Sequence, residues 1–320
     1  MTQEPLLFLT TLAPSLLRLL ASLAVGLLVA NIIESLELTR SMARVASPLV
    51  RLGHLRDVSG ASFSMAFFSS VASNSLLAES YDKGELSARE LKFANLFNSL
   101  PAYLTHLPTL FFMTWPVLGY PAAVYVGLTL LAAALRTGGT IIAGRLMLPP
   151  LPEGCVTCRL DERPPLQKGD ALRRAWKRFT RRLPRLLLFT IPVYVLMALA
   201  QQYGVFRAAE AWLGTNVGGM SFLRPEALSI VVLHLAAEFG AAVSAAGSVL
   251  DTGTMTHRDI VLALLVGNVL STPMRAFRHQ FPAYAGYFRP ALALQLVLAN
   301  QVLRATSITL VGIVYYWLTT

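Results

Sequence analysis

The sequence predicts an all-α polytopic membrane protein made of two inverted repeats. Each repeat is expected to hold three transmembrane helices, one interfacial amphipathic helix and one re-entrant hairpin. Three observations lead there: scarce charge, an internal duplication and the placement of the basic residues. Of 320 residues, 55% are apolar and only 14% charged, against about 25% charged in a typical soluble domain. Mean hydropathy is +0.56. A soluble globule of this length needs polar surface that this chain lacks, so the bilayer is the expected solvent. The composition argues against a soluble enzyme, a disordered chain and a secreted disulfide scaffold.

The duplication emerges when the sequence is slid against itself by about 170 residues. Pro14-Ser15-Leu16-Leu17 then meets Pro184-Arg185-Leu186-Leu187, and Asn31 meets Gln201. The run Asp82-Lys83-Gly84-Glu85-Leu86-Ser87 meets Asp251-Thr252-Gly253-Thr254-Met255-Thr256. Asn98 meets Asn268, and each is followed by a proline, Pro101 or Pro273. Leu135-Arg136 meets Leu303-Arg304, and Gly144 meets Gly312. Apolar runs align by chance; Asp, Gly, Arg and Asn in the same order do not. Residues 1–146 form the first repeat, 147–183 a basic, Pro-rich cytoplasmic linker, and 184–320 the second repeat.

Each repeat opens with a long apolar helix, 6–33 or 184–205. The first has no basic leader and no small-residue cleavage site, so it reads as a retained transmembrane helix. Leu38, Met42, Val45, Leu49, Leu52 and Leu55 then recur at helical spacing, with Arg40, Arg44 and Arg51 on the other side. That pattern predicts a helix lying in the interface. The segment 58–79 carries seven serines and Asn74, a poor composition for a bare span. Its counterpart, 225–251, holds His234, Glu238, Gly240 and Ser244. Both are expected to be broken hairpins buried in protein, with Ser73, Asn74 and Ser75 at the first polar tip. A third helix, 88–113, should be interrupted by Pro101 and Pro108; its partner runs from 258 to about 274. The fourth covers 121–146, matched by 290–318.

Charge placement selects the orientation. Ten of the 27 Lys and Arg lie between Arg159 and Arg185. With hairpins entering and leaving on one side, the loops 34–57, 80–92, 147–185 and 275–289 are all cytoplasmic. They hold twenty basic residues, against three in the outer loops. Four full crossings per repeat separate the charge less well, so the positive-inside rule favours inverted hairpins. Discontinuous segments at matching places in inverted repeats point to a transport site.

Paired units of this kind resemble the nucleoside-recognition, or Gate, domain family, which includes the spore maturation proteins A and B and the membrane part of the bacterial ferrous-iron transporter B. The Ser-rich segment through Asn74, the stretch Gly84-Glu85-Leu86 to Pro101, and its echo Gly253-Thr254-Met255 to Pro273 carry the resemblance. It covers both halves but not the linker, and it implies a Gate-like inverted-repeat membrane fold. Two departures stand out. There is no Gly-x-x-x-x-Gly-Lys-Ser/Thr phosphate loop. Both cysteines, Cys155 and Cys158, lie in the linker and none in a membrane segment, so iron transport of that kind is not expected.

The sharpest candidates are Arg136 and Arg304, each near the middle of a long apolar helix. A charge at that depth costs at least about 2.5–3.5 kcal/mol on insertion scales. Such a pair would hold a carboxylate or phosphate; the structural alternative is that each neutralises an acid or caps carbonyls freed at the hairpins. Asn300 and Ser307 extend the polar face around Arg304. Glu238, the only acid expected well inside an intramembrane segment, is either a proton or cation coupling site or the ion-pair partner of an arginine. His234 would share its proton path or simply pack. Asn98 and Asn268, beside their prolines, would hold a solute or Na⁺ or bond between helices. Ser73, Asn74 and Ser244 complete the candidate substrate site. Cys155-Val156-Thr157-Cys158 is a C-x-x-C, which can be a redox pair or half of a zinc site; with no second ligand pair in the linker, solvent-exposed thiols are expected unless a homodimer joins two such pairs.

These residues predict a transporter or permease of the prokaryotic cytoplasmic (inner) membrane, with a mid-membrane site for an anionic or zwitterionic small solute. Coupling would be to a proton or sodium ion. The rival readings are a non-transporting scaffold or partner subunit, and a lipid-handling protein whose arginines draw in a headgroup phosphate. No enzyme motif, cofactor site, metal site or nucleic-acid partner is expected; the bilayer, the solute and a second copy of the chain are the expected partners.

Overall fold

Each described element is a helix. The computed structural model describes residues 48–150 and 225–319 except 237, 238 and 252, with isolated positions within 13–28 and 172–208. The first helices expected at 6–33 and 184–205, and the linker beyond 150, are described only at scattered positions, and the amphipathic stretch up to 47, Cys155, Cys158 and Glu238 lie outside the described residues. Of the amphipathic stretch, 48–52 is helical. Val50 and Leu55 are buried there, whereas Leu49 and Leu52, expected on the same apolar side, are exposed.

The Ser-rich segment is a helical hairpin, α1 (Asp57–Ala66) and α2 (Ser70–Asp82). Its turn is not the serine cluster that the sequence suggests. Ser69 caps α2 by accepting from the Ala72 amide at 3.1 Å, which fixes the helix start. Phe67 and Phe68 form the exposed turn, and Ser73, Asn74 and Ser75 are buried in the first turns of α2. At its other end α2 closes on Gly84, whose φ of +75° favours glycine. The Gly84 amide reaches Tyr81 O at 3.0 Å and the Glu85 amide reaches Ser80 O at 2.9 Å, a Schellman closure.

Helix α3 (Ala88–Phe97) starts with a reciprocal capping box. Ser87 Oγ accepts from the Glu90 amide at 3.2 Å, and Glu90 Oε2 accepts from the Ser87 amide at 2.8 Å. The chain breaks at Asn98, not at the prolines, and resumes as α4 (Ser99–Leu118). Pro101 sits in the first turn of α4, where a missing N–H leaves no bond unmade; Pro108 and Pro116 are carried inside the helix. After Gly119, φ +58°, comes the long α5 (Tyr120–Met147).

The second half repeats this order. Helices α6 (Pro225–Ala236) and α7 (Phe239–Asp251) are followed by Gly253 at φ +66°. Thr256 and Asp259 form a second capping box at the start of α8 (His257–Leu270). Gly253, Thr256 and Asp259 each follow Gly84, Ser87 and Glu90 by 169 residues, so the same local machinery joins hairpin to next helix in both halves.

Beyond Ser271 the chain does not become the loop expected at 275–289. It continues as α9 (Thr272–Arg275), a π-helical turn Ala276–Gln280 and α10 (Phe281–Tyr287), bent 46° from α8. Pro273 and Pro282 stand at the opening positions of α9 and α10, where proline starts a helix rather than stopping it. The last helix, α11 (Pro290–Leu318), is as long as the sequence predicts. Among the described residues, α5 and α11 are long and apolar enough to cross a membrane, with a third span if the bent α8–α10 stretch counts as one. Leu135 and Ile142 on α5, and Val302, Leu310 and Val314 on α11, are exposed, as lipid-facing side chains must be.

The chain forms two compact units. Unit 1 is Met1–Thr105, Thr137–Ala198 and Gln280–Ala299; unit 2 is His106–Arg136, Leu199–His279 and Asn300–Thr320. Each draws on both halves of the sequence, because α5 enters unit 1 at Thr137 and α11 enters unit 2 at Asn300. In unit 1, Leu77, Leu91, Ala94, Ala285 and Leu296 pack together. Beside them Phe63 stacks on Phe97 with ring centres 4.3 Å apart. In unit 2, Ile230, Val231, Ala242, Ile260 and Leu264 form the core with Ala122 and Tyr125.

Candidate functional site

The polar residues of interest form one cluster in each unit. In unit 1 the cluster is neutral. Ser62 and Ser73, on the two arms of the hairpin, share a hydrogen bond at 2.8 Å, and Asn98 Nδ2 donates to both, at 2.8 and 2.9 Å. The break after α3 thus hands its amide to the hairpin. Alongside, Asn95 Nδ2 donates to Asn74 Oδ1 at 2.8 Å, and Tyr284 Oη donates to Asn95 Oδ1 at 3.4 Å. The buried Asn98 Oδ1 and the hydroxyls of Ser59 and Ser75 have no hydrogen-bond partner among the described residues. Of the residues singled out in the sequence, Ser73, Asn74 and Asn98 therefore fall together. Glu79 was missed. It stands at the end of the Ser-rich segment, 1% exposed, with Lys83 Nζ 3.1 Å from its carboxylate.

In unit 2 the cluster, among the described residues, is cationic and centres on Asn268. Its Oδ1 accepts from Arg304 Nη2 at 3.0 Å and from Arg275 Nη2 at 3.2 Å. Its Nδ2 donates to Tyr125 Oη at 2.6 Å. Arg275 Nη2 also reaches the Asn268 main-chain carbonyl at 3.1 Å and Ser271 Oγ at 2.6 Å. One turn beyond Arg304, Ser307 Oγ accepts from Arg136 Nη1 at 3.2 Å. Arg136 and Arg304, expected as a pair of repeat equivalents, thus belong to the same unit and meet the same stretch of α11. Asn300 is half-buried one turn before Arg304.

Two guanidiniums on one amide oxygen cannot be far apart. Their Nη2 atoms lie within about 6 Å, and at an effective dielectric of about 20 two unit charges at that distance repel by about 3 kcal/mol. Among the described residues, the Arg275 guanidinium meets only neutral oxygens. An oxyanion beside the pair would turn that repulsion into charge-assisted hydrogen bonding.

Arg275 was not foreseen as a site residue, because the sequence reading placed it in a loop. The signal was present: Asn268, Ser271 and Arg275 recur at three and four residues and share a helical face. Ser244 does not join either cluster. It is exposed on α7, where its hydroxyl donates to the Gly240 carbonyl at 3.0 Å, a local bond that needs no partner from elsewhere.

No family model matches the chain, and no solved structure matches it. Three proteins of Methanocaldococcus jannaschii are similar to it along most of its length. The uncharacterized protein MJ0871 is 26% identical over 276 residues, 85% of this chain and 84% of the relative. The uncharacterized protein MJ1556 is 23% identical over 270 residues, 83% of each. The uncharacterized protein MJ0880 is 20% identical over 284 residues, 86% of this chain and 89% of the relative.

Proposed function

We propose that the chain is a secondary transporter or permease of a prokaryotic cytoplasmic membrane, with Gate-like inverted repeats, whose site in unit 2 takes an anionic or zwitterionic small solute. One observation carries this reading: Arg275 and Arg304, from two different helices, converge on the amide oxygen of Asn268 at a helix break. Two guanidinium groups brought within hydrogen-bond reach of one amide oxygen, in helices of a membrane-spanning chain, suit a passing oxyanion. A coupling proton or sodium ion belongs to the same proposal.

A scaffold reading has its own support. Arg275 Nη2, Ser271 Oγ and Thr272 Oγ1 all donate to the Asn268 carbonyl near 3.1 Å, which is what capping a freed carbonyl at a break requires. The two readings part experimentally. Purified wild type should gain thermal stability with inorganic phosphate or acetate, since a ligand of the folded state raises its melting point. Arg275→Gln and Arg304→Gln should abolish that gain while remaining folded and monodisperse. Arg304→Lys should recover only part, because a point charge cannot replace a fork of donors. The scaffold reading expects the glutamine variants to melt early and Glu238→Gln to rescue them partly. An anion response that survives in a folded Arg304→Gln variant would sink the transport-site reading.

A further inference from the structure

His234 is a buried group that the anion cluster does not use. The residue is 5% exposed, and among the described residues neither ring nitrogen has a hydrogen-bond partner. Leaving such a group unsatisfied costs on the order of 1–3 kcal/mol, and an unpartnered buried polar group in a native fold calls for an explanation.

The surroundings of the ring connect it to Asn268 by a closed circuit of contacts. His234 meets Phe239 edge-on with ring centres 5.3 Å apart. Phe239 stacks on Tyr125 at 5.7 Å. Tyr125 Oη accepts from Asn268, the residue that gathers Arg275 and Arg304. Gly267, next to Asn268, completes the circuit. A Cβ at that position would lie 2.7 Å from His234 Nδ1 and 2.9 Å from His234 Cβ. Glycine is therefore what lets the imidazole lie against α8 beside the cationic cluster.

We propose that His234 is a specificity-determining residue of this site, pairing with a neutral hydrogen-bonding group on the solute whose oxyanion sits at Arg275 and Arg304. The inference rests on the anion-site reading above and narrows it. A neutral imidazole carries one N–H and one lone pair on nitrogens that point apart; with Nδ1 turned toward Gly267, Nε2 is the atom left to bond a hydroxyl, which can donate to it or accept from it. An ammonium in the same place would be repelled by two guanidiniums. The solute class is thus an oxyanion bearing a hydroxyl or amide, as in a 2-hydroxy acid or a phosphorylated polyol, and not a zwitterion.

Full-length protein in lipid nanodiscs should be titrated with matched probes: lactate, propionate and alanine, and glycerol 3-phosphate, propyl phosphate and phosphoethanolamine. The hydroxylated member of a series should bind wild type about tenfold more tightly than its bare analogue, and the ammonium-bearing member most weakly. His234→Leu should bring that ratio to within about twofold while propionate or propyl phosphate binds as before. His234→Gln should restore part of it. Gly267→Ala, which leaves the imidazole in the chain but pushes on it, should lower the ratio as well, so a poorly folded His234→Leu does not end the test. A ratio unmoved by His234→Leu or Gly267→Ala overturns the proposal, and so does alanine or phosphoethanolamine binding as tightly as the hydroxylated probe. Loss of all binding in Arg275→Gln, together with a ratio unmoved in His234→Leu, leaves the anion site standing and removes His234 from it. No binding of any probe to wild type overturns both.

Discussion

A Cβ on Gly144 would lie 2.6 Å from the main-chain oxygen of Gly53. This places the last turns of α5 in backbone contact with the turn after the helical residues 48–52. His54, at φ 52°, and the bond between its Nδ1 and Leu148 O at 3.2 Å fix the same junction.

Gly144→Ala should therefore destabilise the protein by about 1–3 kcal/mol, because a backbone neighbour cannot swing aside as a flexible side chain would. Gly138→Ala and Gly139→Ala are the controls. Nothing lies within 4 Å of a Cβ at either position, so relief of helix-interior glycine should leave them neutral or more stable by up to about 1 kcal/mol. Thermal unfolding in detergent separates the two cases. Equal melting points for all three variants would show that the contact is absent.

The hydroxyl–amide triangle of unit 1 should behave as a unit. Asn98→Ala leaves the Ser62 and Ser73 hydroxyls with only each other, at a cost of about 1–3 kcal/mol. Combining it with Ser62→Ala should cost less than the two single losses added, with a coupling of at least about 0.5 kcal/mol. Additive losses would mean that the three side chains do not share hydrogen bonds.

Two acids flanking the hairpin should respond to pH in opposite senses. Partial burial works against ionisation of Glu90, yet the Ser87 amide and hydroxyl and the Arg56 guanidinium, 2.7 Å away, hold its carboxyl below the ordinary value. Its stabilising contribution is present above the unfolded pKa and is lost as pH falls through the lower folded one. Burial raises the Asp57 carboxyl to about 6, against a smaller lowering by Arg51. Its contribution is present below the unfolded pKa and is lost as pH rises through about 6. Glu90→Gln should flatten the acid limb of melting point against pH, and Asp57→Asn should raise the melting point near pH 7. Unchanged profiles in both variants would contradict these environments.

Orientation in the bilayer is testable with single cysteines in a variant lacking Cys155 and Cys158. Inverted hairpins place Arg51→Cys and Glu85→Cys on the cytoplasmic side, and Trp115→Cys and Thr254→Cys outside. Impermeant thiol reagents added to intact cells should reach only the latter two. Labelling of Glu85→Cys from outside, or of Arg51→Cys and Trp115→Cys from one side, would overturn the topology.

Several features of the fold were legible in the amino-acid sequence because they depend on chemistry within a few residues. Helix length follows from the apolar runs, and α5 and α11 lie within a residue of their expected bounds. The glycine turns and capping boxes at Gly84, Ser87 and Glu90, and again at Gly253, Thr256 and Asp259, were not read from the sequence beyond their alignment, although they are local closures that short-range hydrogen bonds complete. What the tertiary structure decided is which way each polar side chain turns. A helix that is apolar all round gives no stripe to orient it, so nothing near Ser244 in the chain marks it as facing outward. Nothing near Ser73 marks it as meeting Asn98. Pro273 reads equally well as a stop or as a start until the next turn is seen to continue, and so Arg275 passed for a loop charge. Arg275 reaches Asn268 from seven residues along the same stretch, but only packing brings Arg304 and Tyr125, far away in the chain, onto that side chain. That convergence depends on long-range contacts, which a one-dimensional pattern does not encode.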